Sequence, residues 1–436
     1  MSSVVTAGRS PEKAQTRHGT SFAAQLARRL LRTTASGEFI PEIDGLRCIA
    51  LAAVVLHHIT ASYLRTTRRF GVLDLPAQWW DVFPKSRVIA IGYAGHFGVP
   101  LFFVISGFIL VLPFVRSYRQ GTTKPHLGSY YLRRLVRLEA PYVVNVTIAF
   151  LLIVLTNVGW RTFIPHFAAT LVYLHGPIFG QASWVNGVAW SLEVEVQFYI
   201  VMPVLAMVFA VRSRAARRIL LVAAILVLAY LVQQLIHGDL NPRLQLSLLN
   251  YLHFFMAGFL LADLYDAHAA RGFRRGWFGD ALAVLAGASI YLILTRRYDL
   301  YYLTPVLIVV LYVGLFLGRV GHACITQPWA VAIGGMCYTV YLYHFMIIDL
   351  LARWTMSLAS PAHALVGDFI LQCVLLVPPI VLVSMVLYLL VEQPFMNLSR
   401  AVSRRFRSRL TTPSPVGGIG VRLSHPPVTD RLRLPE

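Results

Sequence analysis

Apolar residues gather along this chain in ten windows, each near the twenty or so residues that a helix needs to cross about 30 Å of hydrocarbon. They lie at about 43–64, 89–114, 139–156, 187–210, 219–236, 248–266, 278–295, 300–317, 329–352 and 366–391. The pattern predicts an all-α fold, a polytopic membrane helix bundle of about ten transmembrane helices. No internal repeat relates the windows, so inverted-repeat transporter architectures gain no support. Residues 1–39 read as a basic cytoplasmic tail, 40–398 as the membrane domain and 399–436 as a disordered tail rich in Arg, Pro, Ser and Gly. Within the first tail, residues 20–33 (TSFAAQLARRLLRT) fit a short amphipathic helix on an anionic leaflet or an unstructured basic segment.

Composition sharpens this picture. The chain is 57% apolar and only 13% charged, against about 25% charged in ordinary soluble domains. Its mean hydropathy is +0.63. Yet 39 Lys and Arg outweigh 19 Asp and Glu, for a formal charge of +20. Position resolves the conflict. Of the 39 basic residues, 28 fall on the side that holds both ends of the chain, 10 fall on the other, and Arg47 lies inside the first span. The positive-inside rule puts both termini in the cytoplasm, despite five basic residues in the outer segment 65–88. The excess is an orientation signal and not a nucleic-acid footprint. No cleavable signal peptide opens the chain, since its first 35 residues are polar and basic. Cys48, Cys324, Cys337 and Cys373 stand singly in apolar stretches, which suits small core residues and neither a metal site nor a disulfide scaffold.

Ionisable side chains inside a bilayer are costly, and so are candidates for function. Arg47 and His58 are eleven residues apart, which is three helical turns plus about 20°, so they share a face some 16 Å apart along the axis. His57 points about 80° away. A neutral imidazole can act as general base near neutral pH, or simply be hydrogen-bonded inside the bundle. Arg133, Arg134 and Arg137 form one broad basic face at the mouth of the third span. Forked guanidinium donors suit phosphate or pyrophosphate, although basic residues at a cytoplasmic helix end also serve topology. Glu193 and Glu195 enter the fourth span in different directions, so at least one is expected to face a polar cavity. His344 lies in the ninth span. By depth, His58, His344 and Glu195 fit one layer of the membrane. His344 and Asp349 mimic an H-x4-D acyltransferase motif, but on a helix they point about 140° apart. G-x-S-x-G, H-E-x-x-H and Walker patterns are absent from the sequence.

Five blocks occur in a telling order: IDGLRCIALAAVVLHH, FGVPLFFVISGFIL, YLRRLVRLEAPY, WSLEVEVQFYIVMPVL, and CYTVYLYHF followed by VEQPF. Together they resemble the acyltransferase-3 family of multi-pass membrane acyltransferases, over roughly residues 40–398. The resemblance implies that Arg47 and His58 are the family's Arg–ten residues–His motif. It also implies that Arg134 and Arg137, with Arg133 beside them, handle an acyl-CoA donor, and that Ser106-Gly107-Phe108 is the family's Ser-Gly-Phe. The family pattern WSLSVEEQFY is matched with Glu193 in place of a small residue and Val196 in place of the second glutamate. Glu195 is kept and carries the expectation of a catalytic carboxylate, beside His58 and Arg47. His344, Ser106, Trp190 and Ser191 are expected to support or bind substrate.

The implied activity is transfer of an acyl group, taken as acetyl, from acyl-CoA to a hydroxyl of a saccharide or other hydroxylated acceptor. It needs no metal, takes place in the bacterial inner membrane among its lipids, and involves no nucleic acid. His58 would deprotonate the acceptor or transiently hold the acyl group, and Glu195 or His344 would orient it. Trp79, Trp80, Trp160, Trp184, His166 and His175 in the outer segments would stack on sugar, and interfacial belting explains the tryptophans equally well. The competing function is a proton-coupled transporter or flippase of a lipid-linked or small polar substrate, with His and Glu as a relay.

Overall fold

The computed structural model describes residues 39–67, 87–121, 126–236, 241–269, 272, 274–355, 358 and 365–399. The candidate interfacial helix at 20–33, Trp79-Trp80 and the tail from residue 400 lie outside the described residues. Among the described residues there is no strand. Among the described residues nine helices are long and apolar enough to cross a membrane, or ten if a bent pair counts as one span. The all-α polytopic bundle of the hydropathy pattern is therefore present.

In chain order the main helices are α1 (Pro41–Thr67), α2 (Gly98–Gln120), α3 (Leu127–Thr156), α4 (Ala189–Leu205), α5 (Arg214–Ile236) and α6 (Leu248–Ala269). They continue as α7 (Trp277–Arg296), α8 (Thr304–Leu317), α9 (Pro328–Gly335), α10 (Cys337–Thr355) and α11 (Leu365–Leu387). A short helix Arg87–Ala94 and a 3₁₀ turn Gly95–Phe97 lead into α2. The ninth apolar window is not one straight helix, as its pattern suggested. It breaks at Met336, and α9 meets α10 at 74°. Gly334 and Gly335 weaken the helix there, and the Cα of Gly334 presses against the Asp44 carbonyl of α1, where no side chain would fit.

Burial separates centre from rim. Within the protein 78% of the α2 span and 61% of the α1 span are buried, against 22% for α5 and for α11. The rim helices expose Ile219, Leu220, Val227, Ile370 and Val374, apolar side chains suited to a lipid surface. At the centre α2 crosses α6 closely because each brings a glycine to the contact. Gly107 lies against the Phe255 carbonyl, and Gly258 against the Val104 carbonyl and the Phe108 amide. Small residues give membrane helices the close van der Waals contact that replaces a hydrophobic drive. Phe255 then stacks on Phe103 at 4.6 Å and on Phe198 at 4.0 Å.

Many basic residues at the end where α2 and α6 finish have acidic partners. Asp263 takes Arg217 and Arg218, with Nε–O distances of 2.9 and 2.6 Å, and Asp266 takes Arg119. Cys48 is a core residue as expected, but Cys324 is exposed, because the short helix Val320–Ile325 connects spans instead of lying within one.

The α2–α6 crossing makes a test. Gly258→Ala puts a methyl group into backbone atoms of α2 and is expected to cost about 1–3 kcal/mol, read as a lower thermal midpoint in detergent. Gly287→Ala on α7, where a methyl meets nothing within 4 Å, is expected to be neutral or to stabilise by up to about 1 kcal/mol. Equal midpoints for the two variants would contradict the close crossing.

Candidate active site

The site begins with a charge that the membrane cannot leave alone. Arg47, in the second turn of α1, donates from Nη1 to Asp44 Oδ1 at 2.6 Å, one turn back. It also lies in the field of Glu195 from α4. Glu195 Oε1 accepts the Ser106 hydroxyl of α2 at 2.6 Å, and the Tyr199 hydroxyl bonds the same carboxylate. The Arg134 guanidinium of α3 stands 6.0 Å from the centre of the Tyr199 ring. Arg47, Ser106, Arg134, Ser191 and Glu195 all line one open cavity of about 780 Å³, with Val99, Phe102, Phe103 and Leu110 as its apolar wall. Four helices distant in sequence thus bring five of the predicted residues to one space. Arg133 and Arg137 lie on α3 with Arg134.

The cavity is also lined by Cys337, Tyr338 and Tyr341 of α10, residues that the bend at Met336 brings to it. Tyr341 and Ser191 share a hydroxyl–hydroxyl bond of 2.5 Å. Behind Tyr341 stands His344, with ring centres 5.7 Å apart, and next to His344 stands His58 at 5.0 Å. His58 is therefore one step behind the cavity. His58 and His344 are neighbours, while Glu195 is engaged with Ser106 and Tyr199. Glu195 thus faces α2.

His344 is tightly held. Its Nδ1–H donates to the Tyr341 carbonyl at 2.7 Å, leaving a buried Nε2 without a partner. Asn145 of α3 and Asn186 both donate to the Leu342 carbonyl, at 3.1 and 3.2 Å, and fix the backbone beside His344. Sequence reasoning missed both amides. A lone Asn inside the apolar run around residue 145 was the available signal. It also missed the hydroxyls of Tyr199 and Tyr341.

Glu193 turns away from the cavity, as the two-residue spacing predicted. It is buried and accepts the Gly176 amide at 2.7 Å, tying the segment between α3 and α4 to the bundle. In that segment His166 and His175 are not open to a ligand. Both are buried, His166 Nδ1–H donates to His175 Nε2 at 2.8 Å, and His175 Nδ1–H donates to the Gln181 carbonyl at 3.0 Å. Trp184 is exposed and stacks on His166 at 4.2 Å. Asp349 pairs with Arg65 at 3.1 Å, in keeping with its distance from His344 around the helix.

Trp190 belongs to a second cavity, of about 1040 Å³, near the opposite end of the bundle, where α5 finishes and α6 begins. Tyr251, Tyr298 and Tyr301 join it there, with the amides of Gln233, Gln245 and Asn250 and the imidazoles of His96 and His253. The two cavities share Val99 as a wall, and the packed rings of Phe103 and Tyr251, 5.2 Å apart, face one each. Among the described residues no group of three or more His, Cys, Asp or Glu could hold a metal ion.

A family model described as an acyltransferase domain, that of acyltransferase-3, matches residues 40–389. The chain is similar to nodulation protein 10 of Rhizobium leguminosarum bv. viciae, 25% identical over 71% of this chain and 84% of that one. It is 25% identical to the peptidoglycan O-acetyltransferase OatA of Listeria monocytogenes over 41% of this chain and 26% of that protein. It is 20% identical to the O-acetyltransferase OatA of Staphylococcus aureus over 78% of this chain and 56% of that protein. The chain thus spans about a quarter and about half of the length of these two O-acetyltransferases. No solved structure matches it.

The histidine pair in the α3–α4 segment gives a pH test. Burial pushes both imidazoles below their usual value, so the folded segment binds fewer protons than the unfolded one. Its stability is complete above about pH 6.5, the unperturbed histidine value, and is lost progressively as pH falls below that. Hydrogen exchange of residues 164–187 is expected to accelerate between pH 7 and 5, and the acceleration to be smaller in His166→Phe, where only His175 remains to be protonated. Exchange that does not respond to pH would refute the neutral pair.

Proposed function

The chain belongs to the acyltransferase-3 family, and from that premise we propose that it moves an acetyl group from acyl-CoA to a hydroxyl of a saccharide. The observation that carries the proposal is the first cavity. It has guanidinium groups of Arg47 and Arg134 toward one end of the bundle, an apolar wall, and a far side formed by Tyr341, behind which His344 and His58 stand. Donor phosphates suit Arg134, helped by Arg137 and Arg133 of the same helix face, because a guanidinium forks onto phosphate oxygens. The pantetheine arm suits the wall of Val99, Phe102 and Phe103. His58 takes the acceptor's proton or carries the acyl group. Glu195 neutralises Arg47 and holds Ser106 at the cavity wall.

The second cavity suits the body of the acceptor, whose reacting hydroxyl is directed inward from it toward His58. Aromatic faces stack on the apolar faces of a sugar ring, and the amides of Gln233, Gln245 and Asn250 match its hydroxyls. The name of the Listeria relative points to cell-wall peptidoglycan as the acceptor class to try first. The asymmetry of basic residues supports an orientation with both termini cytoplasmic in the bacterial inner membrane. In that orientation the first cavity opens on the cytoplasmic side, where acyl-CoA is made.

Membranes carrying the protein, given labelled acetyl-CoA and the cell's own glycans, provide the test. His58→Ala is expected to lower transfer at least about a hundredfold, the range of a lost general base, at normal expression. Retained transfer would overturn the role of His58. Substrate counterflow in vesicles lacking acyl-CoA would favour the transporter instead.

Arg134 is tested separately. Arg134→Ala is expected to raise KM for acetyl-CoA while leaving the KM for acetyl-pantetheine, which lacks the nucleotide phosphates, unchanged. Equal effects on both donors would remove Arg134 from phosphate binding.

A further inference from the structure

Four imidazoles stand in a row between the two cavities. Their ring centres are 5.0 Å apart from His344 to His58, 5.2 Å from His58 to His57 and 5.7 Å from His57 to His96. At one end the row meets Tyr341, a wall of the first cavity. At the other end, His96 itself lines the second.

The backbone sets the protonation of three of the rings. A carbonyl oxygen only accepts, so a ring nitrogen bonded to one carries the hydrogen. His344 Nδ1 donates to the Tyr341 carbonyl at 2.7 Å. His57 Nδ1 donates to the Tyr93 carbonyl at 2.8 Å, and His96 Nδ1 donates to the same oxygen at 3.0 Å. Each neutral ring therefore offers a lone pair at Nε2. His58 has no such carbonyl, and its Nδ1 is buried without a partner. The Nε2 of His344 is buried without a partner too. Elsewhere in the protein, His166 and His175 show what such spacing allows: with centres 5.0 Å apart they share a 2.8 Å nitrogen–nitrogen hydrogen bond. A ring rotation that brought His58 Nδ1–H to His344 Nε2 would make the same bond between two atoms that are otherwise without a partner. Four adjacent imidazoles are an expensive way to fill a membrane interior that leucines would fill without polar cost.

We propose that this row is a proton path in which His344 orients His58, and His57 and His96 discharge it into the second cavity. This rests on the proposed acyl transfer with His58 as the base. In that step the acceptor O–H bond breaks, its oxygen forms the ester C–O bond, and the thioester C–S bond breaks to release thiolate. The proton on His58 passes by way of His57 and His96 to water in the second cavity. The thiolate takes a proton from water in the first. One proton leaves at one end and one is taken up at the other, and His58 is neutral again for the next turnover.

The test uses the full-length protein in membrane vesicles with labelled acetyl-CoA and endogenous glycans. His57→Gln and His96→Ala are each expected to lower kcat at least about tenfold, with an unchanged KM for acetyl-CoA and an unchanged thermal midpoint. The solvent deuterium isotope effect is expected to increase in both. Added imidazole, which fits the second cavity, is expected to restore His96→Ala but not His58→Ala. Wild-type turnover in both variants would overturn the path, and so would a loss that accompanies unfolding or that imidazole fails to rescue in His96→Ala. An absence of transfer by the wild-type protein would instead defeat the proposed function, and the path with it.

Discussion

An arginine inside hydrocarbon has to find an anion or water, and the position of Arg47 constrains much of this molecule. Leaving a charge unpaired at membrane depth costs at least a few kcal/mol. Asp44 answers it from one turn away and Glu195 from across the bundle. Glu195 in turn must be satisfied, and it draws the Ser106 hydroxyl and Tyr199. A polar network that starts from one buried cation thereby fixes α1, α2 and α4 against one another. It also leaves a cavity whose polar groups are already oriented. The same rule operates at the bundle's end, where Asp263 and Asp266 hold arginines.

Close packing then decides what the network can reach. Glycines let α2 and α6 approach to backbone contact, and Gly334 lets α9 rest on the α1 backbone at Asp44. That second contact sits beside the break at Met336. Because the chain turns by 74° there, α10 enters the bundle at Cys337, at the cavity wall, and carries Tyr341 and His344 toward His58. A straight ninth helix would not present those side chains in the same way. Broken helices persist inside membranes only where protein or a cavity satisfies the freed backbone, and here the Met336 amide donates back to the Ala332 and Ile333 carbonyls while the Met336 carbonyl accepts the Val340 amide.

What could be read from the sequence was what depends on local geometry. Span length and hydropathy are local, so the apolar windows coincide closely with the helices. The divergence of Glu193 and Glu195 follows from 100° per residue, and the structure sends one to the Gly176 amide and the other to Ser106. The meeting of His58 with His344 is different. It depends on how α1 packs against a bent α10, and nothing near either residue encodes that bend beyond two glycines. His96 was invisible for a related reason: its short 3₁₀ turn lies in an apolar run that reads as uninterrupted helix. The pairing of His166 with His175 beneath Trp184 was equally hidden, because it depends on how the segment between α3 and α4 folds back on itself.

The two cavities also explain an economy in the fold. A donor as large and charged as acyl-CoA and a hydrophilic sugar both resist entering hydrocarbon, and moving either one across would call for a conformational change of transporter scale. Here the wall between the cavities is about one side chain thick at Val99, which faces both. Trp190 and Ser191, consecutive on α4, face one cavity each. Under the proposed function, each substrate stays on its own side, and only a two-carbon acyl group and a proton have to cross. A rigid, closely packed bundle is suited to that task, because it keeps water from joining the cavities while holding the reacting groups at the one place where the barrier is thin.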